Sequence, residues 1–125
     1  IMTAHISFTN IDKEIATFSR FWLRDILRNK IGFTGTIFSD DLSMKGTDYV
    51  GGIEAKVGKA LESGCNMVLV CNDRPAAVGA INFLEKEEIS QSHKITKLKA
   101  LQSISWADLE KDARRKDIID KLKTI

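Results

Sequence analysis

The chain is predicted to be α/β, with strand–helix units laid around a parallel sheet. Residues 34–39 read as a strand whose apolar Ile37 and Phe38 lead into two adjacent carboxylates, Asp40 and Asp41. Met67-Val68-Leu69-Val70-Cys71 is apolar without a break, the mark of a strand covered on both faces. Strand patterns recur about 30 residues apart with amphipathic segments between them, the size of a βαβ unit. Such alternation implies parallel strands joined by right-handed crossovers.

Each element has its own justification. Residues 1–7 read as a short strand that delivers His5 near its end, and residues 10–17 are polar and loop-like, with Asp12 and Glu14. A helix is expected from about Ser19, an N-cap type, through Phe21, Trp22, Leu23, Ile26 and Leu27. Arg28 and Lys30 suit its negative end, and Gly32 is placed to stop it. The strand that follows ends at the acid pair. A long connection then carries Gly46, Gly51 and Gly52, longer than a minimal strand-to-helix loop. Ile53, Val57, Ala60 and Leu61 give the next helix its apolar stripe, and Gly64 ends it. After the 67–71 strand, Asp73 is a cap for a helix with Pro75 in its first turn, where a missing N–H costs nothing. Ala77, Val78, Ile81 and Leu84 are its expected buried stripe.

From Glu85 the composition changes to a charge run and then a polar linker, Ser90-Gln91-Ser92-His93. Ile95, Leu98 and Leu101 suggest one short amphipathic helix. Ser105 with Asp108 has the form of a capping box and opens a final helix through Leu109, Ile118, Ile119 and Leu122. Glu110–Arg114, Asp112–Lys116 and Asp117–Lys121 lie at i,i+4 spacing along it. Residues 1–90 and 91–125 are therefore expected to be distinct parts, a βα portion and a helical tail.

Composition narrows the function. At 125 residues, 43% hydrophobic and 29% charged, the chain is one globular unit. A formal charge of +2 gives no field to steer nucleic acid or an anionic membrane, and the basic residues of the tail are interleaved with acids. No stretch is apolar enough to span a bilayer. Cys65 and Cys71, at the two ends of one strand, stand too far apart to bridge and read as small buried hydrophobes of a reducing compartment. No metal-ligand spacing and no phosphate-binding glycine pattern is present, so neither metal nor cofactor is expected. Ile1 opens inside an apolar run, and the expectation is that these residues are a piece of something longer. Unpaired first and last strands are then expected to meet the rest of a barrel or another chain.

The candidate chemistry lies at the acid pair. An Asp after a strand is either a turn former or cap, or a functional group presented where the strand emerges. Asp40 and Asp41 are neighbours on an extended chain and point to opposite sides, so at most one faces a common mouth. A carboxylate that works as a nucleophile needs hydrogen-bond donors to keep it ionised, which Ser39 and the turn amides are placed to supply. His5 closes another strand at the same end, either as a hydrogen-bonded structural residue or as a contact to substrate. His93 belongs to the surface linker, and Ser39 lacks a nucleophile-elbow context.

The string Ile37-Phe38-Ser39-Asp40-Asp41-Leu42-Ser43-Met44 resembles the bacterial β-N-acetylhexosaminidases of glycoside hydrolase family 3. Met2-Thr3-Ala4-His5 upstream and Gly64 to Asn72 downstream match the same family, and the resemblance runs from residue 1 to about 84. It implies an eight-stranded (β/α)8 barrel of the TIM type, of which this chain holds the last three βα units followed by C-terminal helices. It also implies that Asp40 is the catalytic nucleophile of a retaining hydrolase. The implied substrate is a small carbohydrate, N-acetylglucosamine–anhydro-N-acetylmuramic acid peptides from cell-wall recycling in the cytoplasm. The family places its His general acid/base and its other sugar-binding residues on earlier segments, and His5 does not match that acid/base motif. Two alternatives remain: a family 3 glycosidase of other sugar specificity, and a non-catalytic α/β module that binds a partner through its sheet edges.

Overall fold

The computed structural model describes residues 1–90, 92–100 and 102–124. Its centre is a parallel sheet. Strand β3 (Phe38–Asp41) lies in the middle, with β4 (Met67–Leu69) parallel to it on one side. On the other side Met2 bridges Phe38 in parallel, with Thr3 N–H to Phe38 O and Phe38 N–H to Ile1 O both at 2.9 Å. The expected positions therefore lie side by side and parallel, the first of them as a single bridge at Met2 in place of a strand over residues 1–7.

Between residue 8 and β3 the chain departs from expectation. Ser7–Phe8 (β1) pairs antiparallel with Asp12–Ile15 (β2), forming a hairpin where a polar loop was predicted. The alternation that makes β2 a strand is weak, since only Ile15 of its four residues is buried. A short 3-10 turn (Ala16–Phe18) then turns the chain into a helix over Phe21–Lys30. Ser19 acts as the predicted cap: its Oγ accepts Trp22 N–H at 3.0 Å and donates to Asp12, which ties the helix start to the hairpin. The helix is π-wound and ends with Ile31 N–H bonded five residues back to Ile26 O at 2.8 Å. It contains no proline, and nothing in its sequence explains the wider winding. Gly32, at φ 76°, stops it as expected.

Helices α1 (Ile53–Ser63) and α2 (Arg74–Lys86) cover the sheet. Val57 and Ala60 of α1 are fully buried, and with Phe18, Leu23, Ile37, Leu42 and Cys65 they make the core. Asp73 caps α2 by accepting Ala76 N–H at 2.9 Å, with Pro75 in the first turn. The stripe of α2 is rotated from the predicted one. Ala80 is buried and Phe83 and Leu84 pack on the core, whereas Val78 and Ile81 are exposed. Gly79 lies against Ile53, so the small residues of α2 allow the two helices a close approach that leucine-sized neighbours would prevent.

The tail also differs in detail. Ile95–Leu98 is a 3-10 turn, and the predicted contribution of Leu101 lies outside the described residues. The Ser105 cap forms, with its Oγ accepting Asp108 N–H at 3.1 Å, while the Asp108 carboxylate accepts from that hydroxyl at 2.6 Å. The single final helix is instead two, α3 (Trp106–Lys111) and α4 (Ala113–Leu122), broken at Asp112. Asp112 is extended and caps α4 through Arg114 N–H, a local bond that competes with helix continuation. Its carboxyl is held down to about 2, first by the Arg114 side chain. Of the three predicted i,i+4 pairs, Asp117–Lys121 forms, at 2.8 Å. No helix among the described residues is long and apolar enough to cross a membrane.

Candidate active site

The site is built where β3 stops being an ordinary strand. Up to Phe38, its backbone pairs with backbone on both sides. Past that point side chains take over part of the ladder, with Leu42 N–H to Leu69 O, at 2.8 Å, keeping a backbone bond on the β4 side. On the β4 side a register shift separates the Phe38–Met67 and Asp41–Leu69 pairs, and Ser39 Oγ accepts Leu69 N–H at 2.9 Å. Asp41 Oδ1 accepts Cys71 N–H at 2.9 Å, one step further along. On the opposite side Thr3 Oγ1 accepts Asp40 N–H at 3.1 Å, and His5 Nε2 lies 2.8 Å from Asp41 O.

This arrangement gives the two carboxylates different work. Asp41 accepts from Cys71 N–H, from Ser43 N–H at 2.9 Å and from Ser43 Oγ at 2.8 Å. Burial pushes its carboxyl up, but the Cys71 and Ser43 hydrogen bonds outweigh it and hold the group below its usual range. Asp41 is thus a cross-tie between β3, the turn after it and the end of β4. Asp40 falls on the other face of the strand and accepts one hydrogen bond, from Asp41 N–H at 2.8 Å, leaving its second oxygen unengaged by the protein among the described residues. The donors expected from Ser39 do not reach Asp40. Ser39 is fully buried and turned to Leu69, so the backbone amide of Asp41 supplies the contact.

The connection after the acids is held from beneath. It forms a 3-10 helix over Lys45–Val50, fixed by Thr47 Oγ1 donating to Leu42 O at 2.9 Å and Met44 O at 2.7 Å. Lys56 of α1 reaches up from a buried position to Leu42 O and to Asp48, at 3.2 and 2.8 Å. Gly46 passes over His5, where an added Cβ would stand 3.6 Å from the His5 Cβ.

His5 is half-buried, with both ring nitrogens taken by protein partners. Nδ1 lies 3.0 Å from Thr17 Oγ1, which lies 2.9 Å from Thr3 Oγ1. The structure therefore brings His5 to the acid pair, as a hydrogen-bonded neighbour of its backbone. Thr17 and Lys56 carried no signal in the sequence, because a buried polar residue is recognisable only once its neighbours are known. Thr3 sits inside the Met-Thr-Ala-His string and was visible there without a role. His93 is remote, in the linker. Both cysteines are free. Cys65 is buried as predicted and its thiol is pushed up to about 12 by burial, against the opposing effect of Arg28. Cys71 is exposed, contrary to expectation, because the chain leaves the sheet at Val70. Among the described residues no group of three or more His, Cys, Asp or Glu could hold a metal ion. A hollow of about 310 Å³ between α1, β4 and the residues Ile89, Ser92 and Ile95 is lined by Leu61, Val68 and Leu84, away from the carboxylates.

The glycosyl hydrolase family 3 N-terminal domain matches residues 1–104. A beta-hexosaminidase of Mannheimia succiniciproducens is 40% identical over 120 residues, which cover 91% of this chain and 34% of that protein. One from Tolumonas auensis is 39% identical over 117 residues, covering 94% and 34%. The chain thus spans about a third of the length of these relatives. Among solved structures, native NagZ from Neisseria gonorrhoeae superposes with a TM-score of 0.63 at 34% identity, over 82% of this chain and 28% of that one. The same protein in complex with N-trifluoroacetyl-D-glucosamine gives 0.58 at 38% identity, over 75% and 25%.

Proposed function

The chain belongs to glycoside hydrolase family 3, and on that premise we propose that it carries the nucleophile, Asp40, of a retaining hydrolase for terminal N-acetylglucosaminides. Asp40 attacks the anomeric carbon as the C–O bond to the leaving group breaks and a general acid delivers the leaving oxygen's proton. The resulting glycosyl ester is then cleaved by water, with net retention. The observation that carries this assignment is the asymmetry of the pair. Asp41 is held by two backbone amides and the Ser43 hydroxyl, while Asp40 accepts one amide and keeps an oxygen unengaged among the described residues at the end of a parallel strand. A nucleophile needs that free lone pair.

The wider reading follows the relatives. Residues 1–90 are the closing βα portion of a (β/α)8 barrel and residues 91–125 a helical tail. The sugar is N-acetylglucosamine, supported by the N-acetylglucosamine analogue bound to the similar NagZ. The aglycone is an anhydro-muramoyl peptide met in the cytoplasm during cell-wall recycling. The general acid and the remaining sugar contacts come from segments of the barrel that precede these residues.

The test uses the intact enzyme. Asp40→Ala should lower turnover of an aryl N-acetylglucosaminide by on the order of a thousandfold or more. A slow-turnover fluorosugar should label the peptide bearing Asp40. A label on Asp41, or near-normal turnover by Asp40→Ala, overturns the assignment, and preference for glucosides over N-acetylglucosaminides overturns the substrate.

A further inference from the structure

Resting on the reading of Asp40 as nucleophile, we infer that Thr3, Thr17 and His5 are positioning residues for it, through a closed circuit of hydrogen bonds around the Asp40–Asp41 backbone. The circuit has a definite direction. Asp41 O can only accept, so His5 Nε2, at 2.8 Å, carries a proton. In the neutral ring Nδ1 is then an acceptor, and Thr17 Oγ1 donates to it at 3.0 Å. Having given its proton, the Thr17 hydroxyl accepts from Thr3 Oγ1 at 2.9 Å. Thr3 in turn accepts from Asp40 N–H at 3.1 Å. Each hydroxyl gives one bond and takes one, and the path leaves the backbone at Asp40 N–H and returns at Asp41 O.

The circuit stands where backbone pairing has ended on that side of β3. Without it, Asp40 N–H would have no partner and Asp41 O would keep only the Met44 N–H of the following turn, at 3.2 Å, so this edge of the segment would lose its tie to the neighbouring strand. Thr17 is fully buried, so its hydroxyl cannot exchange these partners for bulk water. With Asp41 clamped to β4 on the opposite side, the two residues are gripped from both edges, and the free direction left is that of the Asp40 side chain. A nucleophile misplaced by about 1 Å can cost on the order of a hundredfold in rate. The circuit therefore acts on the chemical step more than on sugar binding.

The experiment compares Thr17→Val, which keeps the shape and removes the hydroxyl, with Thr17→Ser, which restores it, in the intact enzyme with an aryl N-acetylglucosaminide. Thr17→Val should lower kcat by about ten- to a hundredfold, with KM changed by no more than about twofold. Thr17→Ser should recover kcat to within about threefold. Imidazole nitrogen NMR of the unmutated protein should show His5 protonated on Nε2 and bare on Nδ1, a measurement that does not depend on any variant folding. Wild-type kcat in Thr17→Val, equal loss in Thr17→Ser, or a His5 ring bare on Nε2 overturns the circuit. Asp40→Ala run alongside separates the two readings. If it is inactive while Thr17→Val is normal, the circuit alone fails; if it turns over normally, the nucleophile assignment fails and the circuit falls with it.

Discussion

Adjacent acids with different partners are a way to make one carboxylate structural and leave the other reactive. Asp41 is worth most to the fold when ionised, because its partners are N–H and O–H donors. Asp41→Asn presents an amide to some of those donors and should cost about 1–3 kcal/mol of stability at neutral pH. The sign of its pH dependence follows from the lowered folded value. A group depressed on folding contributes fully above its unfolded pKa and loses that contribution as pH falls through the folded one. The advantage of the wild type over Asp41→Asn should therefore be flat above about pH 5 and shrink below the ordinary carboxyl value near ~3.9. Parallel urea titrations of the two proteins across that range check it, and an advantage that grows on acidification would refute the role given to Asp41. The acid pair itself was legible in sequence because it ends an apolar run, and the alternation of an extended chain already separated its members. The identity of the donors was not legible: Cys71 lies 30 residues away, and only strand pairing brings its amide to Asp41.

At the scale of elements, the stop signals were the most readable features, since they depend on one residue's backbone. Gly64 ends α1 at φ 128°, with its N–H bonded back to Ala60 and Leu61 at 3.2 and 3.1 Å. A side chain there is strained by the backbone, whose φ lies well beyond the left-handed basin open to L residues, while an added Cβ would meet Leu23 at 3.4 Å in ordinary contact. Gly32 ends the Phe21–Lys30 helix at φ 76° with nothing within 4 Å of an added Cβ. Gly64→Ala should thus cost about 1–3 kcal/mol and exceed Gly32→Ala, which carries the left-handed penalty of about 1–2 kcal/mol alone. Denaturant midpoints decide it, and an equal or reversed order would mean that the backbone at residue 64 relaxes into the left-handed basin at no added cost. Features that depend on a partner were less legible. The apolar pattern of α2 marked Val78 and Ile81 as readily as Ala80, and it is packing of Ala80 and Gly79 against α1 that selects the face. The β1–β2 hairpin was hidden because β2 reads Asp-Lys-Glu-Ile, a strand made by pairing and by Ser19's bond to Asp12. The break at Asp112 was hidden because capping there competes with a helical pattern that runs through it.

For the molecule as a whole, the sheet surface and the chemistry lead to one expectation. Met2 and Met67, on the strands either side of β3, are 58% and 38% exposed, and Val78 and Ile81 of α2 are 47% and 55% exposed. Apolar side chains at unpaired strand edges and on an outer helix face seek cover, either from the rest of a barrel or from a second copy of the chain. The chemistry is limited in the same way. Asp40 has a free oxygen, but both nitrogens of the nearby His5 are committed to Asp41 and Thr17, so His5 is not placed to protonate a leaving group. Loss of general-acid assistance costs roughly a hundred- to ten-thousandfold on an unactivated glycoside. Residues 1–125, purified by themselves, should therefore turn over an alkyl N-acetylglucosaminide, whose alkoxide leaving group needs protonation, at least about a hundredfold more slowly than the intact enzyme. They should also elute in size-exclusion chromatography as dimers or larger species, whose proportion rises with protein concentration. On the barrel reading proposed above, adding the preceding barrel segment as a separate chain should restore turnover and dissolve the self-association together, because one set of edges serves both. A well-dispersed monomer with the turnover of the intact enzyme would refute both halves of this expectation, and turnover restored with self-association unchanged would show that the two do not share a surface.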